Sequence, residues 1–332
     1  MKLSTSLFLL VASLVSASPA PFAKERTASV LQKRASIDDA ADIGYATQNG
    51  GTTGGTGGPS TTVSTLAQLS AAAAGTGPQV IVLQGAITGA ALVNVTSSTT
   101  IVGKAGSSLT GIGLQIMGQK NVIIRNVKIA KVLAAYGDGI RVFKSTNVWI
   151  DHCDVSGDET AGKDTYDGLI DLSHAADFVT ISHTYFHNHH KGTLVGHSDK
   201  NAAEDSGHLR VTYANNHFYK VGSRGPLLRF GTAHIFNHYY NEQDTGVNTR
   251  MGAQALVEST VFENSGKKMV YSESSSAVGF ATVIDTIFGG QSANTAQPGT
   301  LTASSFPYTY SLLGSANVKA SVTEEAGQTL TF

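Results

Sequence analysis

Three aspartates and a few cationic side chains carry the chemistry this sequence offers. Counted back from the strand-like segment that follows each, Asp138 lies ten residues before its strand, Asp171 eight, Asp167 twelve and Arg224 nine. If those strands stack, the four fall at a similar lateral place on neighbouring turns of chain, about 4.8 Å apart. Read as part of a strand, Asp167 and Asp171 would share one face, because i and i+4 point the same way. Clustered carboxylates repel, and a divalent cation relieves the repulsion. An all-oxygen set of hard donors suits Ca²⁺, which takes about 6–8 ligands in flexible geometry. Three aspartates cannot fill such a shell, so water and substrate oxygens would complete it. The same spacing also fits a solvated acidic face.

The cations lie close by in register. Arg224-Gly225-Pro226-Leu227-Leu228-Arg229 sets two guanidiniums around a proline of fixed φ. Guanidiniums suit planar recognition of carboxylates. His189-His190-Lys191 adds a further cation on the turn between. Ordinary surface salt bridging fits these residues equally well. A bound Ca²⁺ together with several cations on a net acidic chain would attract an anionic polymer.

The elements that must position these groups are visible as a repeat. An eight-residue pattern recurs: apolar, any, apolar, any, small polar, any, any, apolar. Val122-Ile123-Ile124-Arg125-Asn126-Val127-Lys128-Ile129 is the first clear copy, and others begin at Val148, Val179, Val211, Ala233, Ala255 and Ala281. The intervals are 26, 31, 32, 22, 22 and 26 residues. Alternation within each copy has the period of a strand. A coil of this length, repeated, predicts an all-β fold, a single-stranded right-handed parallel β-helix whose coils bury their apolar faces by stacking. An antiparallel sandwich would want shorter and more even spacing. The fifth position of the copies is Asn126, His152, His183, Asn215, Asn237, Ser259 and Asp285. This column predicts a polar ladder at bends, which accounts for His152 and His183 without any catalytic role.

Composition narrows the field further. The 332 residues hold 23 basic and 24 acidic side chains, with 41% apolar and only 14% charged residues and 36 glycines. Whole-chain disorder and coiled coils are excluded, and no basic balance points to nucleic acid. Residues 1–17 have the form of a signal peptide: Lys2, an apolar run at 7–14 too short to span a bilayer, then Val15-Ser16-Ala17. Residues 18–34 end in Lys33-Arg34, as a propeptide would. Residues 35–332 are expected to form one β-helix domain, secreted, monomeric and without membrane attachment. Loss of residues 1–34 would leave 18 basic and 23 acidic side chains. The lone Cys153 forms no intrachain disulfide and is expected in the core. Asn94-Val95-Thr96 is a candidate N-glycosylation sequon within a strand-like run. The glycine-rich stretch at 50–58 reads as a flexible entry segment and lacks the ending of a phosphate loop.

Several motifs, in order, resemble the extracellular pectate lyases of polysaccharide lyase family one, especially the fungal branch. They are Thr52-Thr53-Gly54-Gly55, Val148-Trp149-Ile150-Asp151-His152 and Tyr166-Asp167-Gly168-Leu169-Ile170-Asp171. The series continues with His190-Lys191-Gly192-Thr193-Leu194-Val195-Gly196-His197-Ser198-Asp199, Val211-Thr212-Tyr213-Ala214-Asn215-Asn216-His217, residues 224–230 and Asn248-Thr249-Arg250. The resemblance implies the parallel β-helix and Ca²⁺-dependent β-elimination of polygalacturonate. By position it implies that Asp138, Asp167 and Asp171 bind calcium, that Arg224 takes the C5 proton, and that Lys191 and Arg229 hold substrate carboxylates. A guanidinium ordinarily keeps its proton to above about pH 12, so such a base needs cations nearby or high pH. Tyr136 stands where the family often has an acidic residue just before the first ligand, which leaves the shell one carboxylate poorer. A pectin lyase, acting without calcium on methylated polymer, would lack the aspartate cluster. A hydrolase of the same polymer needs an acid and base pair of carboxylates, and no second cluster matches one. A non-catalytic polyuronate-binding β-helix would have no need of the Arg224 and Arg229 arrangement.

Overall fold

The computed structural model describes residues 35–332; the expected signal peptide and propeptide lie outside the described residues. The repeat is realised strand for strand. Val122, Val148, Val179, Val211, Ala233, Ala255 and Ala281 pair with one another in parallel register, each on the next coil. Three earlier rungs, in strands beginning at Ser60, Gln79 and Thr99, join the same column. The whole is a parallel β-helix of about ten turns, with three strands to a coil in its middle.

Each of the three faces buries its own column. On the first, Ile81, Ile101, Ile124, Ile150, Ile181, Tyr213, Ile235 and Val257 stand in register, all fully buried. On the second, Ile129 and Val155 are followed by rings: Phe186, Phe218, Tyr240, Phe262 and Phe288 stack at centroid separations of 4.3, 4.9, 4.6 and 5.3 Å. The third face carries Ile116, Val142, Leu172, Val195 and Leu228. Parallel in-register stacking puts like beside like, so one apolar residue per coil extends a continuous core.

The bend between the first and second faces explains the polar column. Asn126, His152, His183, Asn215, Asn237, Ser259 and Asp285 all have φ between 44° and 57°. Asn, Asp and His tolerate this left-handed region better than most residues. Asn237 Nδ2 donates to Asn215 Oδ1 at 2.9 Å, and the His152 and His183 rings stack at 4.5 Å. Both imidazoles use Nδ1 on Asp151, which also pairs with Arg125. Cys153 is buried beside them, with its thiol pushed up to about 12 by burial.

The glycine-rich stretch is docked rather than a loose entry. The amides of Thr53 and Gly54 donate to Asn121 Oδ1, and that of Gly55 to Thr100 Oγ1. A Cβ at Gly55 would lie 1.8 Å from the Gln79 carbonyl oxygen. The glycines are there so that one backbone can lie directly on another, a reason that composition alone does not reveal. Helix Leu66–Ala73, with Thr65 as its N-cap, packs on early coils. Helix Ser315–Glu325 buries Val318 and Val322 against Tyr239 and Val261. The segments on either side of this helix follow the polar ladder back: Leu313 N, before it, donates to Asn237 Oδ1, and after it Gly327 N donates to the His183 carbonyl and Leu330 N to Asn126 Oδ1. No helix among the described residues is long and apolar enough to cross a membrane.

Candidate active site

The aspartates gather at the edge of the third face. Asp138 precedes strand Ile140–Phe143, and Asp171 lies on strand Ile170–Ser173, which pairs with it. Asp167 is not on a strand but in the irregular segment before Ile170. The strand argument for a shared face therefore fails for Asp167; the return of the chain, not the pleat, brings it to the other two. Asp138 is buried, accepting from Gly168 N at 2.9 Å on Oδ1 and from Arg141 Nε at 3.1 Å on Oδ2. Asp171 is buried too. It accepts from Leu194 N at 3.0 Å on Oδ1, and Arg224 Nη1 donates to Oδ2 at 3.3 Å.

Burial and mutual repulsion raise two of these carboxyls. Burial pushes Asp138 above the usual range, Asp167 adds to the rise, and Arg141 opposes it. Asp171 is pushed further, by burial and then by Asp138, against the pull of Arg224. Among the described residues, the only carboxylate and imidazole group whose ligand atoms all lie within 4.8 Å of one another is Asp151, His152 and His183. The oxygens of Asp138, Asp167 and Asp171 are thus more widely spread than that.

The cations follow on successive coils. Lys191 Nζ sits 3.0 Å from Asp164 and 3.6 Å from Asp167. Its amide donates to Nδ1 of His189, whose imidazole is pushed down to about 4 by burial and so stays neutral. Continuing the ladder register past the strand ends aligns Asp138, Gly168, Lys191 and Arg224. Arg224 stands just before the cis Gly225–Pro226 peptide bond, and its carbonyl accepts from Thr193 N. Arg229 is held apart from that line: Nε donates to Asp199 at 2.6 Å and Nη1 to the Gly196 carbonyl at 2.9 Å. Asp199 is anchored in turn by Ser275 and the Ser276 amide; the Arg229 hydrogen bond, then these two, hold its carboxyl well below the usual range.

Two arginines escaped the sequence reading as site residues. Arg250 stands beside Arg229 in register, its Nε buried without a partner. Burial, then Arg229, lowers its pKa. The signal for Arg250 was its place in the repeat, one coil beyond Arg229. Arg141 had no such signal, because its partner Asp138 lies off the strand. Asn94 is exposed at the end of strand Ala86–Asn94 and accepts from Gln115 Nε2.

The chain carrying this acidic cluster and row of basic side chains matches known proteins over nearly its whole length. A family model described as Pectate lyase matches residues 20–330. The chain belongs to the pectate lyase family. Curated relatives agree: it is 50% identical to pectate lyase plyB of Emericella nidulans, over 98% of this chain and 99% of that protein. It is 53% identical to pectate lyase B of Colletotrichum gloeosporioides, over 93% of this chain and 92% of that one. Among solved structures, a pectate lyase from Bacillus sp. N165 in complex with trigalacturonate superposes with a TM-score of 0.79 at 31% identity, covering 86% of this chain and 98% of that one. Membership makes the chain a polysaccharide lyase, and the family is generally calcium-dependent.

Proposed function

We propose that this chain is a secreted pectate lyase that cleaves de-esterified (1→4)-α-D-galacturonan by calcium-dependent β-elimination, releasing 4,5-unsaturated oligogalacturonides. The observation that carries the reading is Arg224 Nη1 at 3.3 Å from Asp171, with Asp138 and Asp167 crowding that same carboxylate. A candidate base thus adjoins the acidic cluster, so both can engage one uronate unit.

Asp138, Asp167 and Asp171 would hold the calcium. They fit it in charge and donor type, since burial, and after it repulsion among them, raises two of the three. Their spread leaves the rest of the shell to water and a substrate carboxylate. Calcium held by these three aspartates would supply neutralisation of the uronate carboxylate, and so a more acidic C5 hydrogen beside it. Arg224, once it has given up its own proton, would take up the C5 proton; the C5–H electron pair forms the C4–C5 double bond as the C4–O bond breaks, and the departing oxygen takes a proton from water. Lys191 exchanges its ion pair with the exposed Asp164 for a substrate carboxylate. Arg229 presents a guanidinium already fixed by Asp199, so little side-chain freedom is lost when substrate binds. Residues 1–17 and Lys33-Arg34 support export and trimming, and exposed Asn94 is an acceptor for a glycan in that pathway.

The test is direct. Mature protein incubated with polygalacturonate and Ca²⁺ should accumulate an ultraviolet-absorbing unsaturated product. Chelation should stop it, and highly methylated pectin should be the poorer substrate. New reducing ends without the double bond would make the chain a hydrolase and end this reading.

A further inference from the structure

Each acidic group of the cluster already has a basic partner. Asp171 has Arg224 at 3.3 Å, Asp167 has Lys191 at 3.6 Å and Asp138 has Arg141 at 3.1 Å. Arg224 and Lys191 have work at the substrate. Arg141 has none, yet it is closely seated. Its Cζ lies 4.9 Å from the centre of the Phe143 ring. Beneath it is Gly137, φ 80°, where a Cβ would come within 2.3 Å of Nη2 and 2.7 Å of Cζ. Its strand position is in register with Asp171 on the next coil. Gly168 N and Arg141 Nε between them occupy both oxygens of Asp138. The first donor is backbone and fixed. The second is a side chain, and its charge has the sign of a metal ion.

We propose that Arg141 is a resident counter-cation on Asp138: it competes with calcium for Oδ2 and thereby sets the calcium concentration at which the site loads. The inference rests on the placing of Asp138 in a calcium shell. A displaced guanidinium keeps the face of Phe143 as a seat, so the exchange forfeits the hydrogen bond and not the packing. Arg141 is a positioning residue in this scheme and touches no reacting atom. The arrangement raises the calcium concentration at which the site loads and favours filling once a substrate carboxylate adds a ligand.

Calcium is titrated calorimetrically into the mature protein without polymer, for wild type, Arg141→Gln, Arg141→Lys and Asp138→Asn. Removing a charge-assisted hydrogen bond that competes with the ion should tighten calcium binding about tenfold or more in Arg141→Gln. Arg141→Lys, which keeps the charge, should stay within about threefold of wild type. The calcium concentration for half-maximal turnover should fall in Arg141→Gln by the same factor as the dissociation constant. If that variant does not fold, Arg141→Met keeps the stem over Phe143 without the charge and must show the same tightening. Calcium binding no tighter than wild type in a folded uncharged variant overturns the inference, as does an equal shift in the lysine variant. Equal calcium affinity in wild type and Asp138→Asn would instead overturn the calcium assignment beneath it.

Discussion

Gly168→Ala should disable the site while leaving the fold intact. Gly168 is buried, and its φ lies outside the left-handed region, so its backbone accepts alanine. A Cβ there would lie 2.3 Å from Asp171 Oδ1, 2.6 Å from Cγ and 2.7 Å from Oδ2. All three contacts are impossibly short. The cheapest relief is for the Asp171 carboxylate to swing away, because it is the free end of a side chain. That swing takes it off the Leu194 amide at 3.0 Å and the Arg224 guanidinium at 3.3 Å. A hydrogen bond to a charged group is worth about 1.5–3 kcal/mol, so losing one such contact in the transition state lowers kcat/KM roughly 10- to 150-fold. Calcium affinity should fall alongside. The melting temperature should move little, since the gain of about 0.4–1 kcal/mol that glycine to alanine draws from the unfolded chain at a tolerant φ offsets part of the lost hydrogen bonding. Initial rates of unsaturated-product release across a calcium series, with thermal melts, give both numbers. Wild-type kcat/KM at every calcium concentration would refute the placing of Asp171 at the reacting centre.

Other outcomes follow from the same geometry. Arg224→Lys should lose about 100-fold or more in kcat while still binding polygalacturonate in an affinity gel; undiminished turnover removes Arg224 from the mechanism. Phe218→Ala, which opens a hole between Phe186 and Tyr240, should cost about 3–5 kcal/mol in denaturant unfolding with KM unchanged. Burial pushes the imidazoles of His189, His217 and His234 down to about 4 and that of His238 to about 3. Unfolded histidine titrates near about 6.5, so their contribution is complete above that value and is lost as pH falls toward about 4. Melting temperature should drop through this window when calcium is present to keep Asp138 and Asp171 ionised, as those two raised carboxyls would otherwise gain stability on acidification. A flat profile between pH 7 and 4.5 would contradict it.

The coils were legible because stacking forces like onto like. The alternation that starts at Val122 and ends at Ala281 is the core column itself, and the left-handed bend demands the small set of residues found at its fifth position. The rungs at Gln79 and Thr99 escaped because Leu83 and Gly103, not a polar residue, hold that position. The gathering of Asp138, Asp171 and Arg224 was legible by counting from strands, which works where a residue is on or beside one. Asp167 was counted the same way, but the shared strand face expected for it with Asp171 does not hold, since it lies in irregular chain. Arg141 was missed because a contact of three residues across a strand start has no periodic signature. The docking of Gly54 and Gly55 on the first face was hidden for a similar reason: glycine content speaks of freedom, whereas here it serves close approach.

A stack of near-identical turns invites peeling from either end, one turn at a time. The C-terminal strap prevents this. It touches the ladder at Asn237, then His183, then Asn126, and Thr331 finally accepts from the amide of Ala35. Residues 327–331, late in the chain, therefore latch turns formed by much earlier sequence, and the spring is tied only once those distant segments meet. Any fusion that keeps residues 327–331 from reaching Asn126 should leave the opening coils free to fray.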